Sequence, residues 1–220
     1  MKYLILILVI FSLCITSSGS AVSQTVNNSN SNSSAAASLE KMLLATESLV
    51  GNFTQTTQDS SGNILQESSG KFKLATPGLF YWEVMQPYEN KIIVRNKQVI
   101  MLDPELEQAT IRSLDNSGDQ FLVSLLTGAD STGAITALNN FEITQKNQQY
   151  NLISETENSL VSSITLSFSA QGPISQIKFV NALDQTTIID FTHLTANKKL
   201  DLAIFNQAIP EDYDSVLSEE

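Results

Sequence analysis

The chain has 220 residues, room for one ordinary domain or two small ones, with 42% hydrophobic and only 16% charged residues. Against 23 acidic residues stand 12 basic ones, a net charge of −11, which argues against sequence-independent nucleic-acid binding, where Lys and Arg must neutralise phosphates. One His and one Cys leave little for metal or nucleophile chemistry, and 5 Pro with 9 Gly exclude a collagen-like or linker-dominated chain.

The N-terminus carries one positive charge at Lys2, a short apolar run over residues 4–11, and small residues at Ser17-Ser18-Gly19-Ser20-Ala21. This is the layout of a cleaved secretory signal over residues 1–21, and the run is too short for a membrane span. Cys14 has two readings: an apolar residue discarded with the signal, or an acylated lipoprotein cysteine. Leu13 speaks against the second, because the residue before such a cysteine is small. Residues 22–37 are Ser, Asn, Thr and Ala, a composition that predicts a disordered polar tether. Residues 38–220 then form a single domain, without internal repeat.

Ser38 reads as a helix N-cap. Behind it Leu39, Met42, Leu43, Leu49, Val50 and Phe53 recur at helical spacing, which predicts an amphipathic helix ending near Gly51-Asn52. The period then changes to two. Strands are predicted over residues 53–58, 64–74, 79–84, 91–95, 98–102 and 108–112, with turns at Asp59, Thr76-Pro77-Gly78, Pro87, Asn96 and Asp103-Pro104. In the middle, Phe121, Leu122, Leu125 and Leu126 form one apolar stripe of a short helix, and residues 134–140 are a second short helix or a loop. Strands resume over residues 141–144, 149–154, 164–168, 174–180 and 186–191, before an acidic tail read as solvated. The class is mainly β with short helices: an antiparallel meander with helices packed against one sheet.

Four pieces in order resemble the outer-membrane lipoprotein carrier (LolA) family. They are Phe53-Thr54-Gln55-Thr56 behind a helix, Gly70-Lys71-Phe72 leading into Thr76-Pro77-Gly78-Leu79-Phe80-Tyr81-Trp82, Gln86-Pro87-Tyr88-Glu89, and Asp103-Pro104-Glu105-Leu106-Glu107-Gln108. Their order and spacing over some sixty residues, behind a signal peptide, carry the resemblance. It implies an open, incomplete antiparallel β-barrel, a curved sheet with an α-helical lid on its concave face. It further implies a periplasmic carrier in a Gram-negative bacterium that binds acylated lipoproteins as cargo. Its partners would be an inner-membrane ABC-type release complex and an outer-membrane acceptor. No cofactor, no catalytic residue and no covalent step are implied, and a shuttle role suits a monomer.

On this resemblance Phe80 falls where the family has a phenylalanine that holds lipoprotein, and Trp82 shares its strand parity. Met42, Leu43, Leu49, Val50, Phe121, Leu122, Leu125 and Leu126 are candidate lid residues, each with ordinary core packing as the alternative reading. Where the family has an arginine before the proline that holds the lid closed, this chain has Thr76, so lid control must work differently. Lone His193 reads as a structural, strand-edge or hydrogen-bonded residue, and Asp103-x-Glu105-x-Glu107 as a solvated turn rather than a calcium loop. Three other readings stand beside the carrier: an amphiphile-binding or sensing module with the same fold, an anchored acceptor using Cys14, and a hydrolase. The last lacks a visible nucleophile–base pair.

Overall fold

A computed structural model describes residues 29–114, 123, 125–127, 138–156, 159–170 and 172–217. A helix, α1 (Ser29–Leu44), precedes β1 (Ser48–Gln58), β2 (Ile64–Ala75), β3 (Leu79–Gln86), β4 (Asn90–Arg95), β5 (Gln98–Asp103) and β6 (Gln108–Ser113). After the middle of the chain come a 3-10 turn (Leu138–Asn140), then β7 (Phe141–Lys146), β8 (Gln149–Ser154), β9 (Val161–Phe168), β10 (Ile174–Asn181) and β11 (Thr186–Ala196). A second 3-10 turn (Leu202–Asn206) and β12 (Asp214–Leu217) complete the described chain.

The strands form one open, curved sheet in the order β12-β6-β5-β4-β3-β2-β1-β11-β10-β9-β8-β7. Neighbours are antiparallel except β12, which lies parallel to β6. Two meanders, β1–β6 and β7–β11, are joined by a single pair: β1 runs against β11, with Phe53 opposite Phe191. The register shifts opposite Gly51, where His193 adopts a φ of 53°. A Cβ on Gly51 would come within 2.8 Å of both the Thr192 carbonyl and Leu194, so this bulge needs a residue without a side chain. Bulges of this kind bend a sheet and strengthen its twist. The hairpins use the expected turn chemistry. Asn96 and Lys97 both have positive φ, as a two-residue turn between β4 and β5 requires. Asp103 accepts the N–H groups of Glu105 and Leu106, a local turn that accounts for its carboxylate.

Alternation along the strands sends side chains to two apolar clusters. Phe80, Trp82 and Val84 on β3, Val94 on β4 and Val99 on β5 face the larger, concave one. Tyr81, Ile93, Ile100 and Leu102 face the other side, where Leu200, Ile204, Phe205, Ile209 and Tyr213 of the C-terminal segment cover them. Arg95 holds this strap by donating to the Phe205 carbonyl at 3.2 Å, and Asp201 caps its 3-10 turn through the Ala203 N–H. Both faces of β3–β5 are therefore buried, which is why those strands are apolar almost without interruption.

Three expectations are corrected. The helix begins at Ser29, inside the stretch read as a disordered tether, because Ala35 and Leu39 lie one turn apart on a face that is buried. It ends at Leu44 instead of continuing to Gly51, since Ser48, Leu49 and Val50 pair with Ala75, Leu74 and Lys73 in the sheet. The acidic tail is exposed, as expected, yet residues 214–217 add a strand to the β6 edge.

Phe205 is fully buried, so Phe205→Ala is expected to lower unfolding free energy by about 3–5 kcal/mol in urea titrations. The Tyr81 phenol is pushed up to about 12, chiefly by burial and then by the charge of Glu83. Because the neutral form is favoured in the folded state, its contribution is intact below about pH 10 and is lost as pH rises towards 12. The urea midpoint should fall over that interval, and more shallowly in Tyr81→Phe.

Candidate functional site

The floor of the concave face is aromatic. Phe53 on β1 stacks on Trp82 of β3 with ring centroids 3.5 Å apart, and Phe80 stacks on the same indole at 5.9 Å. Phe72 on β2 lies 4.8 Å from Phe191 on β11, and the Phe191 ring meets Trp82 edge-on at 6.4 Å. Sheet register makes this possible: Phe72 is the direct partner of Trp82 across β2–β3, and Phe53 of Phe191 across β1–β11. Gly70 completes it, since a Cβ there would overlap the Glu83 carbonyl and press on the Phe53 ring at 2.9 Å.

Two helical pieces pack against the concave cluster that contains this floor. From α1, Ala35 and Leu39 are buried, and Ala36, Met42 and Leu43 are partly buried against the same cluster. The middle segment is helical at residues 123 and 125–127; there Leu125 is buried, while Val123 and Leu126 are partly so. Thr127 is fully buried, and its hydroxyl donates to the Val123 carbonyl at 2.8 Å, closing the turn on itself.

Polar bonds fasten the roof at its margins. Asn197, at a φ of 55° after β11, clamps the connection between α1 and β1. Its Oδ1 accepts the Glu47 N–H at 2.8 Å and its Nδ2 donates to the Ala45 carbonyl at 2.9 Å. Thr76 joins from the β2–β3 turn: its N–H and its hydroxyl both donate to the Glu47 carbonyl, at 2.9 and 3.2 Å. Two residues on, the Gly78 N–H donates to the Thr127 carbonyl at 2.9 Å and so holds the middle segment. Within α1, Ser38 Oγ lies 2.7 Å from the Tyr150 hydroxyl of β8. Ser38, read as an N-cap, is thus a mid-helix residue facing the sheet.

Of the residues picked from sequence, Phe80 and Trp82 lie together on the concave floor, 7% and 8% exposed. Met42, Leu43, Leu125 and Leu126 lie in the roof. Leu49 belongs to the floor instead, on β1, and Val50 has the opposite parity on that strand. Phe121 and Leu122 lie outside the described residues. Phe53, Phe72 and Phe191 complete the floor unpredicted; their signal was strand parity, since each shares a face with a neighbour's aromatic. His193 is an exposed bulge residue in an interior strand, 3.5 Å from Asn52 Nδ2, which fits the hydrogen-bonded reading and not the strand-edge one.

An open half-barrel with an aromatic floor and a helical roof pinned at its margins defines a class of proteins with a coverable apolar groove. The family described as outer membrane lipoprotein carrier protein LolA matches residues 45–208, and the chain belongs to it. An outer-membrane lipoprotein carrier protein of Pseudomonas fluorescens (strain Pf0-1) is 35% identical over 184 residues, 82% of this chain and 87% of its own length. One of the same description from Azotobacter vinelandii is 34% identical over 182 residues, 81% and 86% of the two chains. In structure, an uncharacterized conserved protein of Thermus thermophilus superposes with a TM-score of 0.50 at 12% identity, covering 84% of this chain and 99% of that one, a likeness of fold alone.

Asn197→Gly tolerates the positive φ and removes only the clamp. Loss of its bonds to Ala45, Glu47 and Ser48 should cost about 1–3 kcal/mol and speed amide exchange in α1 ahead of the central strands, as read by hydrogen–deuterium exchange.

Proposed function

We propose that this protein is a periplasmic chaperone that holds the acyl chains of lipoproteins between roof and floor. It takes them from an inner-membrane ABC-type release complex and passes them to an outer-membrane acceptor. The observation that carries the reading is the aromatic floor around Trp82 beneath a roof built of separate helical pieces. An acyl chain in water costs about 0.8 kcal/mol per exposed methylene, so transit needs an apolar shelter. When the groove is empty the roof covers the floor; when it is loaded, acyl chains replace roof contacts. Affinity is then a difference between two similar burials, small enough to permit handover.

In this reading Phe80, Trp82 and Leu49 contact cargo from the floor. Met42, Leu43, Leu125 and Leu126 move with the lid, joined by Phe121 and Leu122 of the same stripe, and Val50 supports β1 from the other face. Thr76 secures the connection behind α1 through Glu47. Residues 1–21 direct export, and the carrier breaks no covalent bond and needs no cofactor.

The test is a release assay. Inner-membrane vesicles bearing an acylated lipoprotein and the release complex are given ATP and the purified protein. The expected result is soluble lipoprotein in a one-to-one complex, abolished by Phe80→Glu, which places a charge on the apolar floor. A folded protein that binds free lipid and releases nothing would instead support an amphiphile-binding module.

A further inference from the structure

We infer that Tyr150 recognises the carbonyl group at the head of an acyl chain: when α1 lifts, its hydroxyl exchanges Ser38 for an ester or amide oxygen of the guest. This rests on the carrier reading above and adds a specificity determinant to it.

Tyr150 is 2% exposed, within the concave cluster, and its ring is set edge-on against Phe168 at 5.7 Å and 85°. Its hydroxyl meets Ser38 Oγ at 2.7 Å, next to the fully buried Leu39. A buried hydroxyl with a partner is worth little net, but one stripped of its partner bears the full desolvation cost. The two hydroxyls differ in what happens when the roof opens. Ser38 travels with α1 and finds water. Tyr150 cannot follow, because β8 is hydrogen-bonded on both sides, to β7 and β9.

A purely hydrocarbon guest that displaces α1 therefore leaves Tyr150 unpaired in an apolar groove. A guest with a carbonyl oxygen within reach restores the bond, the phenol donating and the carbonyl accepting. The groove then discriminates acyl chains from alkyl chains of equal length, a choice that an all-apolar floor cannot make. The same pair sets the resting position of the lid, so removing Ser38 alone eases opening without removing the recognition group.

The experiment compares two probes on the full-length protein: dioctanoylglycerol, and the matching dioctyl diether, which lacks the carbonyls. Trp82 is the chain's only tryptophan and lies on the floor, so its emission reports binding of either. The wild-type protein should bind the diester about fivefold to tenfold more tightly than the diether. Tyr150→Phe, which keeps the ring, should bind both with equal affinity. Ser38→Ala should bind both a few-fold more tightly and keep the preference. A diester preference that survives Tyr150→Phe, or disappears in Ser38→Ala, overturns the inference. Equal binding of both probes by the wild type sinks it too and leaves the carrier reading standing; binding of neither removes both.

Discussion

An apolar concave surface cannot stand bare in water, and most of this architecture follows from keeping it covered. The sheet supplies the floor, with Phe53, Phe72, Phe80, Trp82 and Phe191 drawn from four strands. Two helical pieces cover it through side chains, while the bonds that fix those pieces at their margins are polar. That division of labour separates burial from attachment. Burial is non-directional and can be taken over by any chain of similar shape. Attachment is directional and fixes the roof in one position.

The opposite face of the same sheet is covered in a different way. There a C-terminal strap lies over Tyr81, Ile93, Ile100 and Leu102, with Phe205 fully buried and Arg95 bonded to its carbonyl. One run of strands thus carries helical cover on its inner face and an extended strap on its outer one. The turn at Thr76 shows a related economy. Its side chain reaches the connection behind α1, and the hold on the middle segment passes instead through the Gly78 backbone N–H. A backbone donor does not depend on which residue occupies position 76, so this hold requires no particular side chain there.

Strands were legible in the sequence wherever one face alternated, and β8 over residues 149–154 has the predicted bounds. The helix was not, for two reasons. Ser and Asn diluted the face that Ala35 and Leu39 bury, and Leu49 continued its spacing by coincidence. That residue is claimed by β2, because pairing with Leu74 satisfies the backbone of a chain that Asn197 has already turned. The strap and β12 were illegible because each depends on partners distant in sequence. The near-continuous apolar runs of β3–β5 did hold a clue, since a strand buried on one face alone would alternate. The floor was half visible: Phe80 and Trp82 came from motif resemblance, and the other three aromatics needed register, which a single sequence does not supply.

The junction of β1 with β11 bears on how the protein comes to exist. Phe53 meets Phe191 across nearly the whole length of the domain. Local hairpins form from neighbouring residues, but this pairing must wait until the C-terminal meander has been made, and contacts so far apart close slowly. Until then the half-floor on β1–β3 has no Phe191 beside it, and its open edge is a template for other strands. A newly made chain therefore passes through a sticky interval with its own apolar surface unshielded. That interval closes only when the last long strand, β11, pairs with β1.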